Sequence, residues 1–272
     1  MFKKITSVRN PRLKAAIRLK ASRGRKTQQR IIIFGLRESL RAMTGGFAVQ
    51  EVFVCRDQMS GKAVEELRSA LPSQASLYEA SEEIMQRLQY GDRQEAVVCV
   101  AQRPDLSLGR LAIAVATRPL VVILEGIEKP GNIGAVLRSA DGAGASAVIL
   151  ADPQCDVLHP NCIRASLGSG LTMPLAIGSG SEVREWCRET GLTVVAFSDR
   201  GEDPYTTIDW SQPLAMALGS EAHGLSPFWM DTAERTAAIP MRGIVDSLNI
   251  SAAAAVVLYE AHRQRSAGQQ PT

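Results

Sequence analysis

The chain has 272 residues, of which 45% are hydrophobic and 22% charged, values typical of a globular protein with room for two modest domains. No apolar run approaches the roughly 20 residues of a membrane-spanning helix, and the N-terminus lacks the apolar core of a secretory signal. Residues 1–37 contain 12 Lys or Arg and no Asp or Glu, whereas the remainder has 19 basic against 28 acidic residues. This basic arm on an acidic body predicts a polyanionic partner and favours nucleic acid.

The N-terminal third alternates strand-like and helix-like segments, which predicts a small α/β domain. A helix begins after Asn10-Pro11, and Leu13 and Ile17 form its thin apolar stripe. The polar segment Arg23–Arg30 is predicted to be a mobile loop. The elements predicted next are a strand at 31–34, a helix at 36–43, a strand at 51–55, helices at 61–71 and 81–89, and a strand at 96–101.

Residues 103–118 are predicted to link this domain to a second alternating region. That region is predicted to form strands at 120–124, 147–150, 175–177, 193–197, 214–218 and 237–239, and helices at 133–144, 181–190 and 249–264. Such alternation predicts a mainly parallel sheet with ligands bound at the carboxyl ends of its strands. We expect the tail, residues 266–272, to be disordered.

The five cysteines are scattered and odd in number, and no Cys-x-x-Cys pair occurs. This usage predicts a reducing compartment, and we expect a cytoplasmic protein. An organellar targeting segment stays an alternative, because the basic start contains serine and lacks acidic residues. No metal site is predicted, since Cys155, His159 and Cys162 match no common zinc spacing and a fourth ligand is missing.

The first motif, Gly131-Asn132-Ile133-Gly134-Ala135-Val136-Leu137-Arg138, follows the strand at 120–124. Taken alone, Asn132 would cap a helix by accepting an unpaired backbone N–H. Arg138 would pair with Asp141 at a gain of only tenths of a kcal/mol. The many small residues of this helix favour a tight core or a subunit interface.

A dinucleotide-binding pattern, G-x-G-x-x-A, occurs at Gly142-Ala143-Gly144-Ala145-Ser146-Ala147. A Rossmann turn needs a strand before this pattern and a helix after it, and here the order is reversed. The pattern therefore argues against a nicotinamide-dependent dehydrogenase.

Two further motifs lie nearer the C-terminus. Leu218-Gly219-Ser220-Glu221-Ala222-His223-Gly224-Leu225-Ser226 follows an apolar strand, and its glycines let the backbone approach a ligand. Glu221 would position a polar or cationic group, whereas His223 is interpreted as a loop histidine. The other motif is Ile239-Pro240-Met241 leading to Ser247-Leu248-Asn249-Ile250-Ser251, in which Ser247 or Asn249 would cap the following helix.

In this order the three motifs resemble the signature motifs of the SpoU/TrmH-type RNA 2′-O-ribose methyltransferases of the SPOUT superfamily, over roughly residues 119–263. The resemblance implies an α/β fold whose C-terminal SPOUT domain has a mainly parallel sheet and a trefoil knot. It also implies methyl transfer from S-adenosylmethionine to a ribose 2′-hydroxyl of RNA. The expected assembly is a homodimer whose active site borders the subunit interface.

The resemblance further implies roles for individual residues. The predicted catalytic residues are Asn132, Arg138, Glu221, Ser247 and Asn249. The predicted cofactor-binding residues are Leu218, Gly219, Ile239, Met241, Ser247 and Leu248. For Arg138 we favour stabilising the developing alkoxide and binding phosphate over acting as a general base, because a guanidinium with a pKa above about 12 hardly ever loses its proton.

Segments 6–14 and 90–95 resemble the ribosomal-protein-like α/β substrate-binding domain of this family, and segment 161–168 resembles a part that approaches RNA. One departure is Phe34-Gly35, where relatives often carry Glu-Gly. The predicted RNA-binding residues are Arg9, Arg12, Lys14, Arg18, Arg23, Arg25, Lys26 and Arg164.

The predicted organisation is an RNA substrate-binding domain at 1–102, the linker, a methyltransferase domain at 119–265 and the tail. The appended domain favours ribosomal RNA as the substrate. The alternatives are a transfer RNA 2′-O-methyltransferase and a non-catalytic RNA-binding or ribosome-assembly factor of the same fold.

Overall fold

The computed structural model describes residues 2–113 and 118–267. Their packing forms two compact units. Unit 1 comprises the residues up to Pro104 together with Asp156–Thr172, and unit 2 comprises Asp105–Cys155 together with the residues from Met173 onward. Segment 156–172 thus packs with the N-terminal residues, although in sequence it lies within the span predicted as the methyltransferase domain. Within the described ranges, no helix is both long and apolar enough to cross a bilayer.

Unit 1 combines strands and helices, as its alternating sequence predicts. Its elements, numbered along the whole chain, are β1 (Lys3–Ile5), α1 (Pro11–Arg18), α2 (Ser22–Gln28), β2 (Arg30–Phe34), α3 (Leu36–Thr44), β3 (Val49–Val54), α4 (Gly61–Ala70), β4 (Ser76–Ala80), α5 (Glu82–Leu88), β5 (Val97–Gln102) and α7 (Pro160–Ala165). The strand order of the sheet is β1-β4-β3-β5-β2. β1, β4 and β3 are parallel neighbours, whereas β5 runs antiparallel to β3 and β2.

The N-terminal helix forms where the sequence predicts it. Asn10 caps α1 by accepting the backbone N–H of Arg12 at 2.9 Å, and Pro11 occupies the first helical turn, where no N–H is needed. The stripe that includes Leu13 packs into the core of unit 1, with Ile17 partly buried against it.

The mobile loop predicted at Arg23–Arg30 is wrong, because most of this segment forms α2 and its last residue begins β2. The sequence pattern did not predict α2 because this helix has no apolar stripe. Its buried side chain is Arg25, which pairs with Asp156, 131 residues away, and also donates to two nearby backbone carbonyls. The strands β1 and β4 were also missed, being short and rich in polar residues.

Unit 2 is built on a seven-stranded sheet of order β10-β12-β9-β11-β6-β7-β8. Its elements are β6 (Leu120–Glu125), α6 (Pro130–Ala143), β7 (Ala147–Ala151), β8 (Leu175–Gly178), α8 (Gly180–Glu189), β9 (Thr193–Phe197), β10 (Asp203–Pro204), β11 (Leu214–Leu218), α9 (Pro227–Thr232), β12 (Arg235–Ala238) and α10 (Ile250–Ala267). Every neighbouring pair of strands is parallel, which confirms the predicted sheet type.

The central strands of unit 2 are buried along their length, as expected for a parallel sheet covered on both faces. Part of the predicted linker belongs to this core, since Leu108, Leu111 and Ile113 pack against it. Residues 114–117 of the linker lie outside the described residues. The tail prediction needs a correction at its start, because α10 continues through Ser266 and Ala267. Residues 268–272 lie outside the described residues.

Candidate active site

A cavity of about 540 Å³ lies in unit 2 beside the carboxyl ends of β6, β9, β11 and β12. Because these strands are parallel, the loops that follow them meet at one edge of the sheet, where α/β proteins bind ligands. The volume is within the range of cofactor sites. The lining comprises Lys129, Phe197, Ser198, Asp199, Leu218, Gly219, Ser220, Glu221, His223, Gly224, Leu225, Met230, Ile239, Met241, Asp246, Ser247, Leu248, Asn249, Ile250 and Ala253.

The structure gathers most of the predicted site residues around this cavity. All six predicted cofactor-binding residues line it, and so do three of the predicted catalytic residues, Glu221, Ser247 and Asn249. The lining therefore combines the second and third sequence motifs. Asn132 reaches the site through a hydrogen bond, whereas Arg138 is not part of the lining.

The loop from Gly219 to Gly224 forms one tight turn of the lining. A Cβ atom at Gly219 would lie 1.9 Å from the carbonyl carbon of Gly224, so no larger residue fits without opening the loop. Gly224 has φ +67°, a left-handed conformation that favours glycine, and its N–H donates to the Ser220 carbonyl at 2.9 Å. The Ser220 hydroxyl accepts the N–H of His223 at 3.2 Å. These bonds hold the loop that presents Glu221 and His223.

Asn132 does not cap α6, which corrects the structural interpretation of this residue. The helix begins at Pro130, so Asn132 lies inside its first turn, and Lys129 occupies the cap position without a side-chain bond. The Asn132 amide instead donates to the carboxylate of Glu221. This contact joins the first motif to the second, because β6 and β11 are neighbouring parallel strands.

Asn249 caps α10, which confirms one of the two cap predictions for the third motif. Its side-chain oxygen accepts the Ser251 N–H at 2.9 Å and the Ser251 hydroxyl at 2.6 Å. Ser247 lies in the exposed loop before the helix, in the cavity lining. In the same loop Ile244 is fully exposed and Val245 largely so.

Arg138 is exposed on α6 and, within the described residues, forms no ion pair. The pairing with Asp141 that its position alone suggested is therefore wrong. Arg138 lies six residues after Asn132, which in an α-helix is about 9 Å along the axis and about 120° around it. The two side chains thus leave the helix in different directions.

Ionisable side chains give the cavity an acidic character. Asp199, Glu221 and Asp246 contribute carboxylates, against the single ammonium of Lys129. Around them lie apolar residues from the ends of β9 and β11, from the segments that follow β11 and β12, and from the start of α10. A ligand that combines positive charge with apolar parts would complement this surface.

The predicted RNA-binding residues belong to unit 1. Those with exposed side chains and, among the described residues, no ion pair are Arg9, Lys14, Arg18, Arg23 and Lys26. Arg12 also faces solvent, with 59% of its side chain exposed, but its Nη1 donates to the buried carboxylate of Glu51 at 2.8 Å. Its charge is therefore partly neutralised by the chain itself.

Arg25 is not available to RNA, which corrects that prediction. Its side chain is fully buried, and its Nε donates to Asp156 at 2.8 Å. Its Nη1 donates to the carbonyls of Leu19 and Lys20, each at 3.0 Å. Burial opposes ionisation of Asp156, but the hydrogen bond from Arg25 and the charge of Arg103 outweigh it and lower the Asp156 pKa. Arg25 thus stabilises unit 1.

Arg164 lies on α7 within a small polar cluster of unit 1. Its Nη2 donates to Asn161 at 2.6 Å, and its guanidinium carbon lies 6.0 Å from the ring centre of Tyr90. His159 caps this helix, because its Nδ1 accepts the Asn161 N–H at 3.1 Å. Burial and the charge of Arg25 lower the pKa of His159, which favours the neutral ring that this cap requires.

The structure adds cavity residues that the motifs did not indicate, namely Lys129, Ser198, Asp199 and Asp246. His223, interpreted from the sequence as a loop histidine, also lines the cavity. A general signal pointed to some of them. Lys129 follows β6 and Ser198 follows β9, and residues just beyond parallel strands tend to face the ligand.

Comparisons with known proteins show the family to which the chain is similar. Residues 119–259 match the model of the SpoU rRNA Methylase family, and residues 10–99 match that of the MRM3-like substrate binding domain. The chain is 32% identical to a 23S rRNA (uridine(2479)-2′-O)-methyltransferase of Streptomyces viridochromogenes, across 99% of this chain and 95% of that protein.

Solved structures give the same result. A crystal structure of an RNA 2′-O ribose methyltransferase matches with a TM-score of 0.83 and 36% identity, covering 97% of this chain and 100% of that one. The SpoU methyltransferase AviRb from Streptomyces viridochromogenes, in complex with the cofactor AdoMet, matches with a TM-score of 0.84 and 29% identity, over 96% and 100%. With three motifs around one cavity and a relative similar along nearly its whole length, this chain belongs to the SpoU rRNA methylase family.

Proposed function

We propose that this chain transfers a methyl group from S-adenosylmethionine to a ribose 2′-hydroxyl of ribosomal RNA. The observation that carries the proposal is the Asn132–Glu221 hydrogen bond, which joins two of the motifs beside a cavity lined by the third. The substrate follows from the Streptomyces viridochromogenes relative, which is named for 2′-O-methylation of 23S rRNA.

S-adenosylmethionine fits the chemistry of the cavity. When bound, it supplies a methyl group on a positively charged sulfonium, already activated for transfer. Asp199 and Asp246 offer carboxylates to the cationic parts of such a molecule, and Ile239 and Leu248 offer apolar contact to its adenine. Gly219 brings backbone close to the ligand, where a side chain would collide with the loop.

The protein's own contribution to the reaction is alignment and charge stabilisation. Asn132 holds the Glu221 carboxylate, and Ser247 and Asn249 lie in the same lining to orient the ribose. Arg138 stabilises the developing alkoxide and binds the adjacent phosphate. A guanidinium suits that role because it keeps its charge and can donate to two oxygens at once.

We further propose that the active enzyme is a homodimer with the active site at its border. Arg138 is exposed and lies outside the cavity lining of its own chain, so a second copy is the direct way to bring this group to the target. Tyr259 and Val256, exposed apolar side chains on α10, offer a surface beside α6, on which α10 packs. Light scattering of the native chain and of Tyr259→Glu would test this assembly.

Unit 1 binds the RNA in this proposal. Exposed charges are available to phosphates at Arg9, Lys14, Arg18, Arg23 and Lys26. Arg12 and Arg164 also contribute, although their guanidinium groups already bind Glu51 and Asn161. A trefoil knot in the methyltransferase domain and a cytoplasmic location belong to the same proposal. The family resemblance supports the knot, and the cysteine usage supports the location.

Tritium transfer tests this function. The purified chain is incubated with methyl-labelled S-adenosylmethionine and, separately, with ribosomal RNA and transfer RNA. We expect label in ribosomal RNA, recovered in an alkali-resistant dinucleotide, since 2′-O-methylation blocks cleavage at that ribose. Label found only in transfer RNA would show that transfer RNA, and not ribosomal RNA, is the substrate. Assembling ribosomal subunits are tested as a further substrate. If the chain binds the cofactor and RNA but labels none of these substrates, the result would favour the non-catalytic factor.

A further inference from the structure

Methyl transfer to a ribose needs a proton acceptor. The 2′-oxygen forms a bond to the methyl carbon, the carbon–sulfur bond breaks with its electron pair staying on sulfur, and the hydroxyl proton must leave. Arg138 cannot take that proton as an ordinary guanidinium, which is already fully protonated. The chain therefore needs another group, or water, to accept it.

His223 is placed for this task by its loop. His223 lines the cavity together with Glu221, two residues earlier, whose carboxylate accepts a hydrogen bond from Asn132. The Ser220–Gly224 turn and the bond from the His223 N–H to the Ser220 hydroxyl hold the residue in position. Within the described residues the imidazole itself has no hydrogen-bond partner. Its ring nitrogens are thus available to a ligand.

The other ionisable groups of the lining suit the task less well. They are the ammonium of Lys129 and the carboxylates of Asp199, Glu221 and Asp246. An ammonium has no lone pair to offer, and a carboxylate is in general a weaker base than an imidazole. Imidazole changes charge between about pH 5 and 8, which makes it an efficient proton acceptor near neutrality.

We propose that His223 is a catalytic residue that accepts the proton of the target 2′-hydroxyl as the methyl group arrives. This inference rests on the proposed function. Arg138 then stabilises negative charge on the oxygen, while a ring nitrogen of His223 removes the proton. The histidinium formed returns its proton to solvent after the methylated RNA departs, which the exposed position of His223 permits.

Chemical rescue tests the proposal. His223→Ala should lower the single-turnover rate about 100-fold, the lower end of what a general base contributes. Free imidazole should restore much of that rate, in proportion to its neutral fraction. The control is Glu189→Ala, an exposed residue on α8 outside the lining, whose rate imidazole should not change.

A second readout does not depend on turnover. Diethylpyrocarbonate should modify His223 in the free chain, as followed by peptide mass spectrometry, and S-adenosylhomocysteine together with substrate RNA should protect it. His262 should stay reactive under both conditions.

Several results would overturn the inference. An unchanged rate in His223→Ala would do so. A lost rate that imidazole does not restore, or a His223 that the ligands do not protect, would do so as well. If wild-type protein transferred no methyl group to any RNA, the proposed function and this inference would fall together. An active wild type with an equally active His223→Ala variant would remove the role of His223 alone.

Discussion

The side-chain amide of Asn132 donates a hydrogen bond to the carboxylate of Glu221, 89 residues later in the chain. The contact forms because β6 and β11 are parallel neighbours, so the loops that follow them meet at the same edge of the sheet. The first motif is thereby joined through Glu221 to the cavity that the second and third motifs line. Glu221 in turn has a fixed position beside the proposed ligand.

A double-mutant cycle tests whether Asn132 and Glu221 act as one unit. Asn132→Ala and Glu221→Ala should each lower the single-turnover methylation rate about 100-fold, because displacement of a positioning group by an ångström has effects of this size. The double variant should be little slower than either single variant. Glu189→Ala, an exposed carboxylate on α8, is the control. Fully multiplicative losses would show that the two residues act independently.

Gly219→Ala should weaken cofactor binding at least about tenfold, as measured by calorimetry. The added Cβ would lie 1.9 Å from the carbonyl carbon of Gly224, so the loop must open and the lining changes shape. Gly109→Ala is the matched control, since its Cβ would meet nothing within 4 Å. Undiminished affinity in Gly219→Ala would mean that this loop does not contact the cofactor.

Arg138→Ala should lower turnover by about 100-fold or more, while the affinity for S-adenosylmethionine stays within a factor of about two. Turnover should fall without a loss of cofactor affinity because Arg138 lies outside the cavity lining and acts on charge that develops at the target oxygen. Arg188→Ala, an exposed arginine on α8, is the control. Near-normal methylation by Arg138→Ala would refute the role assigned to this residue.

Replacing Lys14 and Arg18 by Gln should weaken RNA binding and reduce the salt dependence of the affinity. Each lost phosphate contact should lower the slope of log K against log salt by about one. Filter binding at several salt concentrations measures this slope. Point substitutions are needed because α1 also contributes Leu13 to the core, so its deletion would unfold unit 1. Lys62→Gln, exposed on α4, controls for net charge, and an unchanged slope in the double variant would exclude this surface.

The ion pair of Asp156 should make unit 1 sensitive to acid. The folded-state pKa of Asp156 is lowered, so its contribution to stability is present above about pH 4 and is lost as the pH falls further. Asp156→Asn leaves Arg25 buried without its charge partner and should cost about 3 kcal/mol at pH 7. This variant should also lose part of the acid dependence below pH 4.

Urea unfolding followed by circular dichroism at pH 7 and pH 3 measures both effects of Asp156→Asn. Asp57→Asn, which removes an exposed carboxylate from the same unit, should leave the unfolding midpoint nearly unchanged. Equal midpoints for Asp156→Asn and the wild type at pH 7 would contradict the assigned role of the buried pair.

Sequence alone predicted six of the seven strands of the parallel sheet and the three motifs, and it missed the two-residue strand β10. The strands predicted at 193–197 and 214–218 are observed at those bounds, because a strand covered on both faces must be a continuous apolar run. The cap at Asn249 was equally predictable, since it bonds to a residue only two positions away. Signals of this kind depend only on residues close together in the sequence, so they can be interpreted without knowledge of the fold.

Tertiary structure decided how individual polar side chains are used. Taken without the family resemblance, Asn132 would cap a helix, but it contacts Glu221 instead. Arg25 was predicted to bind RNA, but it is buried against Asp156, 131 residues away. His223 became a candidate proton acceptor only when its loop was seen to line the cavity. A polar side chain can satisfy its hydrogen bonds in many ways, and only the fold determines which distant partner comes within reach.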